Sequence, residues 1–260
     1  MKLEGIIFDW AGTTVDFGCM APVKAFMDSF AANGVVVTEE ETRKPMGMLK
    51  RDHIKTMLSM DRIRSAWKQQ HGTAWNMNDV ETIYSSFEPE LLATLTSYTN
   101  VKPGVVDTVA QLRSMGLKLG STTGYTDKMM KIVVQAAAAQ GYQPDCWFSP
   151  DSTEGMGRPY PYMIFKNMME LKLSDVKRVV KVGDTVSDIQ EGKAAGVWSV
   201  GVIDGSSVMG LNEEQFNALP DAEKTARREQ VRQIFVEAGA NYTIQDMTEL
   251  PQVLQDIEKQ

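Results

Sequence analysis

The stretch Gly5-Ile6-Ile7-Phe8-Asp9-Trp10-Ala11-Gly12-Thr13-Thr14-Val15-Asp16 sets the reading of the chain. Four residues run without a polar interruption and end in an aspartate. A run this short and apolar is expected as a buried strand of a parallel sheet covered on both faces. Similar runs follow at Leu117–Ser121, Val179–Val182 and Val197–Val202, with a shorter candidate at Asn241–Ile244. Helical spacing fills Val105–Met115, Lys128–Gln140, Tyr162–Leu171 and Ser187–Ala195. Alternating strand and helix predict an α/β fold, a doubly wound parallel sheet.

The block from Ala21 to Tyr98 reads differently. Val23, Phe26, Met27 and Phe30, and later Ile83, Phe87, Leu91 and Leu92, recur at helical spacing, and no strand is expected there. The expected organisation is a first core segment at 1–20, an inserted helical cap domain at 21–99, and a second core segment at 100–260. Lys102-Pro103-Gly104 marks the return to the core.

Composition narrows the function. The 260 residues carry a net charge of -7, with 43% hydrophobic and 23% charged residues. An acidic chain is a poor general binder of nucleic acid or of an anionic membrane, because phosphate attracts basic surfaces. A small anionic substrate remains open, since a few local cations suffice for it. The two cysteines, Cys19 and Cys146, have no paired spacing, which fits a reducing cytoplasm and excludes a thiolate zinc cluster. No stretch reaches the ~20 apolar residues that span a bilayer. A cytoplasmic protein is expected.

In open α/β sheets ligands sit beyond the carboxyl ends of the strands. The candidate strands end in Asp9, in Thr122-Thr123-Gly124 and in Gly183-Asp184. Asp9 faces a tight turn whose amides, from Trp10 to Thr13, can cradle an anion; it can equally cap that turn. Thr123 and Gly124 offer a hydroxyl and a free amide to a phosphoryl oxygen. Arg158, in Gly157-Arg158-Pro159, is either a phosphoryl counter-ion or a solvated loop cation. Asp184 and Asp188, four apart after a strand, suit a hard cation such as magnesium, or else cap and begin a helix.

Together and in this order, the four motifs resemble those of the haloacid dehalogenase superfamily, whose core is Rossmann-like. The resemblance implies that Asp9 is a nucleophile on phosphorus. It implies phosphate binding by Thr123 and Arg158. It implies a Mg2+ ion held by Asp9, the Ala11 carbonyl and Asp184, with Asp188 in support.

One position departs from the superfamily's phosphatases. They carry a second aspartate two residues after the nucleophile, as the general acid for the leaving group. Here that residue is Ala11, which has no proton to give. Lys50 offers another way to stabilise a leaving group. A lysine that condenses with a carbonyl makes an imine, and a protonated imine lets a carbon group depart as an enamine. Lys50 and His53 lie at i and i+3, on one helix face. His53 is then either a proton shuttle or a packed helix residue.

This combination resembles the phosphonatase family within the superfamily. The likeness is carried by Phe8 to Asp16, Arg43 to Lys50 with His53, Ser121 to Tyr125, Gly157 to Pro161 and Val182 to Asp188. It implies that Lys50 forms the imine, and that Met46, His53, Cys19 and Tyr125 surround the aldehyde end of the site. The implied reaction is hydrolysis of the carbon–phosphorus bond of phosphonoacetaldehyde to acetaldehyde and phosphate. The implied assembly is a homodimer through the cap, to which the apolar helix from Ala21 to Phe30 contributes. Two rivals predict different behaviour: a capped phosphatase or mutase acting on oxygen esters without need of Lys50, and a phosphate-binding protein without turnover.

Overall fold

The computed structural model describes residues 2–260, so the first core segment, expected from residue 1, is seen from Lys2. Its centre is one six-stranded sheet, β1 (Gly5–Phe8), β2 (Lys118–Thr122), β3 (Cys146–Phe148), β4 (Val179–Gly183), β5 (Trp198–Val202) and β6 (Tyr242–Ile244), in the order β3-β2-β1-β4-β5-β6. Every neighbouring pair is parallel. Every residue of β1 and β4 is buried, as expected of central strands covered on both faces. The chain winds outward from β1 to β3, returns to the other side of β1 at β4, and winds out again. The switch point lies between β1 and β4, which is where such sheets bind ligands.

Helices between residues 21 and 94 are α1 (Ala21–Ala32), α2 (Glu39–Arg43), α3 (Lys50–Ser59), α4 (Asp61–His71) and α5 (Met77–Thr94), all inserted between β1 and β2. Local chemistry sets their ends. Thr38 with Glu41 and Asn76 with Asp79 form reciprocal capping boxes at α2 and α5. Gly72, at φ 76°, closes α4. The Asp16 carboxylate accepts from the Met20 and Ala21 amides, both at 3.0 Å, and anchors the start of α1. Val23, Phe26 and Phe30 of α1 are buried, leaving Met27 half-buried.

The remaining helices are α6 (Val105–Ser114), α7 (Asp127–Ala138), α8 (Tyr162–Glu170), α9 (Val186–Ala195), α10 (Glu213–Ala218), α11 (Asp221–Ala238) and α12 (Leu250–Glu258). The two crossings between core and insert run side by side. The Asp16 amide donates to the Asn100 carbonyl at 3.0 Å, the Lys102 amide to the Thr14 carbonyl at 2.9 Å, and Val15 bridges Val101 antiparallel.

The four main strands fall within a residue or so of their expected places, and the insert holds helices only. Strand β3 was not expected from the sequence. Its three residues are half-buried at the sheet edge, too few and too mixed for an apolar run to mark them. The cap of α9 also differs from expectation. Thr185, not Asp184, takes the N-cap position, in a reciprocal box with Asp188. Asp184 is thereby freed to face the site.

Candidate active site

Asp9 leaves the carboxyl end of β1 and is 4% exposed. Its loop is pinned by Trp10, whose indole donates to Ser121 Oγ at 2.7 Å and meets Tyr142 edge-on. The loop amides only partly match the expected anion cradle. Gly12 and Thr13 turn their N–H groups inward, onto the Val15 and Trp10 carbonyls.

Three carboxylates, Asp9, Asp184 and Asp188, each offer an oxygen within 4.8 Å of the others, all of them buried. Burial, then the neighbouring Asp9 and Asp188, push the Asp184 carboxyl well above the usual carboxylate range. The Thr13 hydroxyl donates to Asp184 at 2.9 Å and the Ser207 amide at 2.7 Å. The crowding of negative charge and the all-oxygen donor set fit a hard divalent cation. Asp188 has less to give to it. Its Oδ1 pairs with Lys181 at 2.9 Å and Arg158 at 3.1 Å, and its Oδ2 accepts from Thr185 at 2.6 Å. Burial alone would raise the Asp188 carboxyl, but Arg158 and Lys181 outweigh it and lower it.

Arg158 is the hub. It is 3% exposed. It donates to Asp9 Oδ1 at 2.6 Å, to Glu191 at 3.0 Å and to the Thr122 hydroxyl at 2.9 Å. Burial opposes its charge, and Asp188, Asp9 and Glu191 more than restore it. The loop-cation alternative is therefore removed. Lys181 and Glu191 complete this cluster. Lys181 reaches the Thr122 hydroxyl at 2.8 Å, and Thr122 donates to Glu191 at 2.9 Å. Neither Lys181 nor Glu191 was singled out from the sequence. A signal existed: Lys181 is the only charge inside the run Val179-Val180-Lys181-Val182-Gly183, and Glu191 stands at i+3 from Asp188.

The insert closes over this edge. Lys50, the first residue of α3, is buried, with Nζ 4.8 Å from the Tyr125 ring centre and 5.9 Å from that of Phe26. Burial chiefly lowers its basicity to about 8, Cys19 and Asp9 working against the shift and Arg158 with it. A small cavity joins the two parts. Asp9, Ala11, Cys19, Met46, Lys50, Thr123, Gly124, Tyr125 and Arg158 line it, all candidates from the sequence. Gly47 and Thr185 line it too and were not among those candidates. They touch for a reason: a Cβ on Gly47 would meet Thr185 Oγ1 at 2.5 Å. A Cβ on Gly124 would meet the Gly47 carbonyl at 2.6 Å. Only backbone without side chains fits between insert and core here.

Thr123 accepts the Tyr125 amide at 3.0 Å, which orients its hydroxyl. Cys19 is held at φ 49°, and burial, then Asp16 and Asp184, push its thiol well up. Asp184 and Asp188 stand behind the cavity rather than on its wall. So does His53. It stacks on Phe26 with ring centres 3.9 Å apart, and its Nε2 meets the Thr42 carbonyl at 2.8 Å. That contact makes Nε2 the protonated nitrogen, and Nδ1 has no partner among the described residues. Burial, then the Lys50 charge, lower its basicity well below the ordinary histidine range.

A model of haloacid dehalogenase-like hydrolases matches residues 3–196. The chain belongs to that family. It is 52% identical to phosphonoacetaldehyde hydrolase from Lysinibacillus sphaericus, over all of this chain and 97% of that protein. It is 49% identical to the enzyme of that name from Bacillus cereus, over all of this chain and 98% of the other. Within the family it groups with these hydrolases. A crystal structure of a phosphonoacetaldehyde hydrolase-like protein from Oleispira antarctica superposes with a TM-score of 0.95 at 38% identity, covering all of this chain and 94% of that one. β-Phosphoglucomutase from Clostridium difficile shares the fold, with a TM-score of 0.69 at 12% identity, covering 99% and 98%. No helix among the described residues is long and apolar enough to cross a membrane.

Proposed function

We propose that this chain hydrolyses the carbon–phosphorus bond of phosphonoacetaldehyde, through an imine on Lys50 and an aspartyl phosphate on Asp9. The observation that carries the reading is the pairing of Ala11 with Lys50 on one cavity wall set. Where the superfamily's phosphatases carry a proton donor, Ala11 has a methyl group, and the buried amine of Lys50 lines the same cavity. A carbon leaving group needs an electron sink rather than a proton.

The Lys50 amine adds to the aldehyde carbon, and loss of water leaves a protonated imine. A Lys50 basicity of about 8 keeps roughly one amine in ten neutral at pH 7, against about one in 2,500 for an ordinary lysine. An Asp9 carboxylate oxygen then attacks phosphorus in line, and the carbon–phosphorus electron pair moves into the imine to give an enamine. Arg158 and Thr123 stabilise charge on the phosphoryl oxygens. Protonation of the enamine carbon regenerates the imine, whose hydrolysis releases acetaldehyde. Water cleaves the aspartyl phosphate to phosphate and restores Asp9. We take His53, one turn from Lys50 and behind the cavity wall with Nδ1 unpartnered among the described residues, as the residue that handles a proton during imine formation.

Asp9, Asp184 and the Ala11 carbonyl would hold Mg2+, which when bound supplies positive charge to the phosphoryl oxygens. Asp188 would act in support, through the Arg158 and Lys181 pairs described above. We take the insert as a cap domain, bounded at about 20 and 99, that shuts out water during the transfer. The assembly expected is a homodimer through that cap, acting in the cytoplasm.

The test is incubation with phosphonoacetaldehyde and Mg2+, assaying both products and trapping with borohydride. Equal release of acetaldehyde and phosphate, with a reduced adduct on Lys50, supports the reading. Phosphate release from ordinary monoesters with Lys50 unmodified would favour the oxygen-ester rival.

A further inference from the structure

Lys102 lies on the second crossing between insert and core, and nothing in the chemistry above uses it. Its side chain turns inward and is 6% exposed. Nζ donates to two main-chain carbonyls, those of Gly12 and, at 2.8 Å, Asp204. The Asp204 carboxylate is taken elsewhere, by the Arg228 guanidinium at 2.9 and 2.5 Å. Lys102 is thus not a simple ion pair. It is a buried cation spent on orienting backbone.

What it orients is the Asp9 loop. Gly12 stands at φ +90°, pressed so closely on the Asp184 carboxylate that no side chain fits there. The Lys102 amide meanwhile bonds the Thr14 carbonyl in the same loop. One residue therefore ties the crossing, the Asp9 loop and the end of β5 together.

We propose that Lys102 is a positioning residue for the carboxylate site: by fixing the Gly12 carbonyl to the crossing it sets how the Asp9 loop meets Asp184, and so how tightly the site grips Mg2+. This rests on the metal reading given above. Outer partners of this kind change metal affinity by about 10–100-fold when removed.

The test is a Mg2+ titration of full-length Lys102→Ala by calorimetry. The expected result is a Kd raised about tenfold or more, with the KM for substrate little changed at saturating Mg2+. Lys102 also lines a surface cavity beside Phe17, Phe216 and Thr248. Truncation joins the vacated space to that cavity, so a small primary ammonium such as propylammonium should restore Mg2+ binding, while tetramethylammonium, which has no N–H, should not. A folded Lys102→Ala protein with wild-type Mg2+ affinity overturns the proposal, as does equal rescue by both ammonium ions. Should the alanine variant not fold, Lys102→Met keeps the stem volume without the donor, and wild-type affinity there overturns it equally. Wild-type protein that binds Mg2+ yet releases no acetaldehyde sinks the substrate reading instead, and leaves this comparison of affinities intact.

Discussion

Lys50 Nζ stands 4.8 Å from the centre of the Tyr125 ring, so the first turn of an insert helix meets the loop behind β2 over an aromatic face. No carboxylate among the described residues pairs with that ammonium within 4.0 Å. An amine held this way loses hydration without gaining a full counter-charge, and its proton is correspondingly loose.

The pH dependence follows from that. With Lys50 at about 8, imine formation should climb as pH rises toward 8 and level off above it. Stability runs the same way over a higher window. Between about 8 and about 10.4 the unfolded lysine keeps a proton that the folded one has shed, so this group makes folding more favourable as pH rises. Urea unfolding of wild type and Lys50→Met across that window measures it. A difference between the two that does not change with pH would refute the shift. Lys50→Arg should abolish imine trapping altogether, because a guanidinium stays charged.

Gly124→Ala isolates closure from folding. The new methyl would meet the Gly47 and Met48 carbonyls at 2.6 and 2.7 Å, both on the insert. With insert and core held apart, kcat/KM should fall by ~10–100-fold. Thermal stability should move little, because the contact lies between the two parts and not within either. Wild-type turnover in this variant would show that closure tolerates an added methyl.

The cluster around Arg158 is expected to be costly to break. Lys181→Met leaves Asp188 and Glu191 buried with a single cation between them, and should destabilise by about 3–5 kcal/mol. Removing charge in pairs, Lys181→Met with Glu191→Leu, should recover much of that. Urea midpoints decide it: a single variant as stable as wild type would mean that Arg158 alone satisfies both acids.

Metal removal tests the carboxylate trio. Mg2+ binding only to the folded protein stabilises it by about 2.7 kcal/mol at a hundredfold excess over Kd. A chelator should lower Tm and Mg2+ should restore it, and Asp184→Asn should lose the response. An Asp184→Asn protein stabilised as strongly as wild type would place the ion elsewhere.

Much of this was legible in the sequence where residue type and position coincide. The strand preceding Asp9 announces itself because a fully covered strand has no polar face, and the acids at strand ends then fall on one edge. What stayed hidden depends on distance in space. Lys181 could be read as an anomaly in an apolar run, but its partners lie on α9 and at the end of β2. Thr122 and Thr123 are adjacent and equally plausible in sequence, yet strand alternation sends one hydroxyl into the ionic cluster and the other to the cavity. Gly47 matters only because Thr185 and Gly124 press on it. Helix capping likewise could not be assigned between Asp184 and Thr185 before the turn was seen.

The paired crossings have one more consequence. Because Val15 and Val101 face each other in an antiparallel bridge, held by the Asp16–Asn100 and Lys102–Thr14 main-chain bonds on either side, the polypeptide leaves and re-enters at nearly the same point. The intervening residues are, in effect, a module plugged into a single socket. A short splice there would leave the sheet's connectivity intact, and another lid could be grafted in its place without rethreading a strand.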